Sequence, residues 1–300
     1  MELTTGENDK GRRLDRILRK ALPDHPLPLL HKLLRQGKVL VNGKPAKAQN
    51  RPESGDTITI PSLKDSPKQA VSRRPLPSPC IIWQGSGLLA VNKPPGLAVH
   101  GQESLDTMVR SYLDKKITPS LSFRPGPLHR LDKPSSGIVV FSTNIEGARL
   151  FSTLMREHNV RKTYLAIVEG EVKNEEIWKD ELIRDKSMKK TFVSGKSGAK
   201  TAVTSIKPLV YNGSYSLVLA EIATGRTHQI RAQAAFHGHP LSGDKKYSGR
   251  GKDGFFLHAW RLEFLEHSIE APLPEAFRKK ITELFDKITL KNNPCRRAWT

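Results

Sequence analysis

An aspartate among basic residues, His129-Arg130-Leu131-Asp132-Lys133, runs into a Pro134-Ser135-Ser136-Gly137 turn and an apolar stretch, Ile138-Val139-Val140-Phe141. An ionised carboxylate is a nucleophile or a base, and a nearby cation helps keep it ionised. A loop leading into a buried strand holds such a group rigidly while leaving it open to a substrate. Read alone, Asp132 is more often an ordinary loop carboxylate paired with Arg130 or Lys133. Its motif holds no second acid, so the paired carboxylates of a glycosidase are not in view.

Other reactive constellations are weaker. His129, His228, His237, His239 and His258 match no zinc spacing, and there is no Cys-x-x-Cys. Gly195-Lys196-Ser197 lacks the leading glycine of a phosphate loop, because Lys190 stands there. No Gly-x-Ser-x-Gly elbow occurs. Neither a metal nor a cofactor is expected.

The elements that must position Asp132 follow from the rest of the chain. Its 300 residues suit one large domain and a small one. Fifty Lys and Arg against thirty Asp and Glu give a net charge of +20, which favours a polyanionic partner, nucleic acid before anionic membrane. No apolar run approaches the length of a membrane span. The first residues lack the basic start and apolar core of a signal peptide. Cys80 and Cys295 lie far apart, which points to a reducing cytoplasm without a disulfide framework.

Residues 1–62 read as a separate module. Leu14, Ile17, Leu18 and Ala21 have helical spacing and the opposite face is basic. A second helix is expected over Leu29–Gln36, then a hairpin at Asn42-Gly43 and a strand over Thr57–Ile60. Residues 1–64 hold thirteen Lys/Arg against seven Asp/Glu. Residues 63–79, with four prolines and Pro61 just before them, read as a linker. Residues 80–300 form the second domain. Strands are expected at Ile81–Trp83, Leu88–Val91, Gly137–Ser142, Tyr164–Val168, 201–207 and 215–222. Helices are expected at Ser104–Lys116, Asn144–Arg156 and Thr227–Phe236, with a last one opening at Leu273-Pro274. Strands and helices mix without regular alternation, which predicts an α+β fold with a mostly antiparallel sheet.

Four stretches, in order, resemble the RluA-type pseudouridine synthases. They are Asn92-Lys93-Pro94-Pro95-Gly96-Leu97-Ala98-Val99-His100, the Asp132 motif, Lys162-Thr163-Tyr164-Leu165-Ala166, and Gly225-Arg226-Thr227-His228-Gln229-Ile230-Arg231. His237-Gly238-His239-Pro240-Leu241, Gly243-Asp244 and Leu257-His258-Ala259 continue the likeness, which spans roughly residues 80–285. Arg13-Leu14-Asp15, Gly37 through Gly43 and Gly55-Asp56 resemble the αL-type RNA-binding module named for ribosomal protein S-four.

The resemblance implies uridine isomerisation in RNA, with Asp132 as the catalytic aspartate, Arg231 as its ion partner and Tyr164 against the base. The carboxylate has three routes open to it: attack at the anomeric carbon, removal of the 2′ proton, or addition to the ring. Arg130 would fill the stack left by an extruded uridine or contact a phosphate. His129, Lys162, Arg226, Arg13, Arg16 and Lys38 are the further expected RNA contacts. Large-subunit rRNA is the favoured substrate and tRNA the alternative, with a cytoplasmic monomer expected. The rivals are a non-catalytic ribosome-assembly factor on the same basic surface and a nucleosidase. Pro134-Ser135 departs from the family pattern, which has an acidic or polar residue and then threonine there. A shortened C-terminal hairpin at Leu265–Glu270 is a second departure.

Overall fold

The computed structural model describes residues 1–62, 77–114, 116–117, 119–251 and 254–285. Most of the expected linker, and Cys295, lie outside them. The N-terminal module contains β1 (Glu2–Thr4), α1 (Leu14–Ala21), α2 (Leu27–Arg35), β2 (Leu40–Val41), β3 (Lys44–Pro45) and β4 (Thr57–Thr59). Its strands are ordered β1-β4-β2-β3. Leu14, Ile17 and Leu18 of α1 pack with Leu30, Leu33 and Leu34 of α2 and with Ile58, so each helix buries the apolar stripe its spacing predicts. α2 begins before Leu29 because Pro28 is tolerated in a first helical turn.

The second domain runs β5 (Ile81–Gly85), β6 (Leu88–Lys93), α3 (Leu105–Leu113), β7 (Gly126–Pro127), β8 (Ser136–Ser142), α4 (Ile145–Arg156), β9 (Val160–Glu169) and β10 (Glu176–Asp185). It continues with β11 (Lys190–Val193), β12 (Lys200–Tyr211), β13 (Tyr215–Ile222), α5 (Gln229–Phe236), β14 (Leu257–Phe264), β15 (His267–Glu270) and α6 (Glu275–Phe285). One eleven-stranded sheet is ordered β11-β10-β12-β13-β9-β14-β8-β6-β5, with β15 on β14 and β7 on β8. Every pairing is antiparallel except β8 with β14. This is the α+β, mostly antiparallel architecture the element pattern predicts. Among the described residues, no helix is long and apolar enough to cross a membrane.

Some elements differ from the sequence reading. β10 and β11 were not expected. β10 buries Trp178 and Leu182 while leaving charged residues on its other face, and those charges mask the alternation. β12 runs on to Tyr211 through an irregularity between Pro208 and Val210, as befits a proline in a strand. α5 starts at Gln229, not Thr227, because His228 takes a left-handed conformation with φ 55°.

The single parallel pair sets the position of the site. Gly137 on β8 lies beside Ala259 on β14, which pairs with Tyr164 on β9. Gly137 has φ +110°, and a Cβ there would fall on the Ala259 backbone. Gly137→Ala is therefore expected to cost about 3 kcal/mol or more, read by urea unfolding. A cost under about 1 kcal/mol would mean that the seam yields easily.

The same seam holds His258, fully buried, with Nδ1 2.8 Å from Ser136 Oγ and Nε2 3.1 Å from Ala271 O. Burial pulls its pKa down to about 4, against a smaller upward pull from the Ala271 carbonyl. A depressed histidine favours the folded state above its unfolded pKa near 6.5, and that contribution is lost as pH falls toward 4. The loss reaches about 3 kcal/mol for His258. Unfolding free energy is expected to decline between pH 6.5 and 4.5, and His258→Gln should make the decline shallower by about one proton. Parallel profiles for the two proteins would refute this.

The N-terminal module is joined to the second domain through Asp9, which is fully buried. Its Oδ1 accepts from Ser120 Oγ (2.7 Å), Ser122 N (2.8 Å) and Ser122 Oγ (2.5 Å). Its Oδ2 accepts from Gly6 N (3.0 Å) and Leu121 N (2.9 Å). Burial works to raise its pKa, but these bonds outweigh it and leave the carboxyl below its usual range, hence ionised.

Candidate active site

Asp132 sits where the chain turns into β8. Ser135 N–H closes the turn on Asp132 O at 3.1 Å, so Pro134-Ser135 still makes a tight turn. Lys133 O accepts from Gly96 N (2.9 Å) and from the Lys93 ammonium (3.2 Å). The same ammonium donates to Pro94 O (2.9 Å) and Leu97 O (2.8 Å). Lys93 is fully buried at the end of β6, so one hidden cation joins the two loops flanking the site. Burial pulls its pKa down to about 8, opposed by the nearby Asp132 charge.

Arg231 projects from α5. Gln229 Oε1 accepts from Arg226 N (3.0 Å) and Thr224 Oγ1 (2.8 Å), and Gln229 Nε2 donates to Val203 O (3.0 Å), which fixes the start of that helix. The guanidinium donates Nη1 to Asp132 Oδ2 at 2.9 Å. It donates Nε and Nη2 to Asp244 at 2.7 and 2.8 Å, a two-pronged pair. It lies 5.0 Å from the Tyr247 ring centre and 4.4 Å from that of Phe255. Burial opposes the Arg231 charge, and the two carboxylates more than restore it. Asp132 keeps 20% of its side chain exposed, against 2% for Asp244. Of the two carboxylates, Asp132 is the one open to a substrate.

His228 Nε2 is 3.7 Å from Asp132 Oδ2. Its Nδ1 is 2.9 Å from the Tyr247 hydroxyl, which already accepts from Thr191 N. A phenol hydrogen given to Nδ1 places the His228 proton on Nε2, facing Asp132. Burial lowers the His228 pKa; Asp132 raises it, and Arg231, Lys246 and Arg184 lower it again. The ring is neutral at neutral pH.

Tyr164 is 7% exposed and lines a small cavity of about 70 Å³ with Asp132, Arg130, Ser135, Arg226, His228, Arg231 and Leu257. Burial, then the Asp132 charge, raise its pKa, so the phenol stays protonated. Arg130 and Arg226 are exposed at this cavity, Arg226 bonding Thr201 O at 3.0 Å. Arg13, Arg16 and Lys38 are exposed on the N-terminal module, Arg13 forked onto Asp15.

Two expected RNA contacts turn inward. His129 Nε2 accepts from Val140 N at 3.1 Å, its ring stacks on Phe151, and burial pushes its pKa down to about 4. Lys162 does share a strand face with Tyr164, but that face is interior. The residue is 8% exposed, its Nζ is 4.0 Å from Met155 Sδ, and burial lowers its pKa. Lys93, Asp244, His228 and Tyr247 are the site residues to which the sequence assigned no role. Three of them stand inside the resembling stretches, and nothing in their residue types marks them as partners of Asp132.

Residues 87–236 match the family described as RNA pseudouridylate synthase, and residues 12–58 match the S4 domain. The ribosomal large subunit pseudouridine synthase C of Vibrio vulnificus is 31% identical over 89% of this chain and 89% of that protein. The protein of the same name from Escherichia coli is 28% identical over 92% and 94%. Human RNA pseudouridylate synthase domain containing 4 shares the fold, with a TM-score of 0.59 at 24% identity over 68% of this chain and 92% of that one. With Asp132 open to a cavity and bound to a buried arginine in this fold, the chain belongs to the RNA pseudouridylate synthase family.

Proposed function

We propose that this chain converts specific uridines of large-subunit rRNA to pseudouridine, as a cytoplasmic monomer without a cofactor. The observation that carries the reading is the Asp132–Arg231 bond at 2.9 Å, with Tyr164 lining the same cavity. The net charge of +20 supports a nucleic-acid substrate, and the names of the bacterial relatives support large-subunit rRNA.

The reaction breaks the bond from ribose C1′ to uracil N1 and makes one from C1′ to C5. The hydrogen on C5 is lost and N1 gains one, so nothing is oxidised or reduced. Asp132, held in place by Arg231, attacks C1′ or takes the 2′ proton. The freed base turns in the cavity against the Tyr164 ring. Because the phenol stays protonated, Tyr164 acts by stacking or by donating a proton, and it does not begin as a base. Arg130, exposed at the rim, takes the stack vacated by the extruded uridine.

The test is carbodiimide mapping of pseudouridine in total RNA from cells lacking the protein, restored with wild type or Asp132→Asn. The expected result is one or a few large-subunit positions that return with wild type alone. Sites confined to tRNA would overturn the substrate assignment. Sites restored equally by Asp132→Asn would overturn the catalytic one.

A further inference from the structure

The larger cavity near the catalytic domain is not at Asp132. It lies between the two modules, has a volume of about 370 Å³, and is lined by Arg12, Arg13, Arg16, Arg51 and Arg149, with Gly11 and Ile145. That volume holds roughly a dozen waters at about 30 Å³ each. Four of the arginines come from the N-terminal module and Arg149 comes from α4 of the catalytic domain.

Gathering five guanidiniums costs free energy unless counter-charges answer them. Asp15 answers Arg13 alone, through two bonds. Arg12 is pinned through Nη1 to Ser122 O at 3.2 Å, and Arg51 through Nη1 to Gly11 O. Arg16 and Arg149 have no side-chain bonding partner among the described residues. The adjacent Asp9 offers Arg12 only a through-space attraction, because its two oxygens already receive five hydrogen bonds. The start of α4 also faces this cavity through Ile145, whose N–H is taken by Asn8 Oδ1 at 2.9 Å. Its residual positive end adds to the same field.

We propose that this cleft between the modules is a phosphodiester site for the substrate RNA, with Arg16 and Arg149 as the two free donors. The inference rests on the pseudouridine synthase reading and deepens it. The Asp9 junction sets the spacing of arginines from both modules, so one RNA backbone is held by both at once. Planar guanidiniums suit this task, since each can present two parallel N–H donors to one phosphate.

The test uses the full chain and in-vitro transcribed large-subunit rRNA as the probe. Binding is measured by filter retention from 50 to 300 mM KCl for wild type, Arg16→Ala, Arg149→Ala, Arg149→Lys and the control Lys279→Ala. Lys279 is an exposed cation on α6, paired with Glu275. Arg16→Ala and Arg149→Ala are each expected to weaken binding about 3- to 10-fold near 150 mM salt. Each should also make the slope of log K against log salt shallower by about 0.7 to 0.9. Arg149→Lys should restore the slope, and Lys279→Ala should leave it as in wild type. Wild-type slopes in both arginine variants would overturn the proposal, as would an equal change in Lys279→Ala. Melting with tripolyphosphate separates a small-anion site: a rise abolished by Arg149→Ala, with the RNA slope unchanged, also overturns it. Tritium release from C5-labelled uridine in the same preparations tests the enzymatic reading separately. Release with unaltered slopes sinks only the cleft, and altered slopes without release sink only the reading.

Discussion

Asp132→Asn is expected to lower pseudouridine formation by at least about 10⁴-fold, the scale of losing a group that enters the reaction itself. That corresponds to about 5 kcal/mol of lost barrier reduction. The amide of asparagine neither attacks C1′ nor accepts a proton at neutral pH. The fold should survive, because Arg231 keeps its two bonds to Asp244 and its ring contacts. RNA affinity should stay within about threefold, since the phosphate-facing arginines are elsewhere. Single-turnover tritium release from C5-labelled RNA, paired with a binding isotherm, reads both quantities. Retention of more than about 1% of the wild-type rate would show that the carboxylate is not the reacting group.

Arg231→Met carries the second large effect, and it divides between stability and rate. The change removes three charge-assisted bonds and leaves Asp244, 2% exposed on its side chain, without its cation. Removing one partner of a buried pair costs about 3–5 kcal/mol. Activity should fall by about 10² or more, because Asp132 loses the bond that orients it. A second substitution separates the two roles. In Arg231→Met/Asp244→Leu the stranded carboxylate is gone, so much of the stability should return while the rate does not. Recovery of both would mean that Arg231 only holds the fold together.

The motif order in the chain singled out Asp132, Arg231 and Tyr164 as candidates, and all three meet in one cavity. Local pattern located the apolar stripe of α1, the end of α2 and the buried apolar run of β8. It failed where a local rule met a tertiary demand. His228 delays the start of α5 because its backbone turns left-handed, which nothing in a Thr-His-Gln sequence announces. Lys162 and His129 looked like RNA contacts because basic and polar residues are usually outside. Here α4 packs over both, Phe151 against the His129 ring and Met155 against the Lys162 ammonium.

What the amino-acid order alone determined was an ordered set of motifs, whose resemblance to the RluA-type synthases implied uridine isomerisation at Asp132, and a charge suited to a polyanion. These depend on residue type and short spacing, which a linear chain displays. Tertiary structure decided the partners. Asp244 lies 13 residues from Arg231 and Asp132 lies 99 away, yet one guanidinium bonds both. Lys93 serves a loop 40 residues distant, and Arg149 meets four arginines from another module. Such pairings depend on which strands lie side by side and which loops their ends bring together. Here that is the β8–β14 seam and the Asp9 junction, and sequence separation says nothing about either.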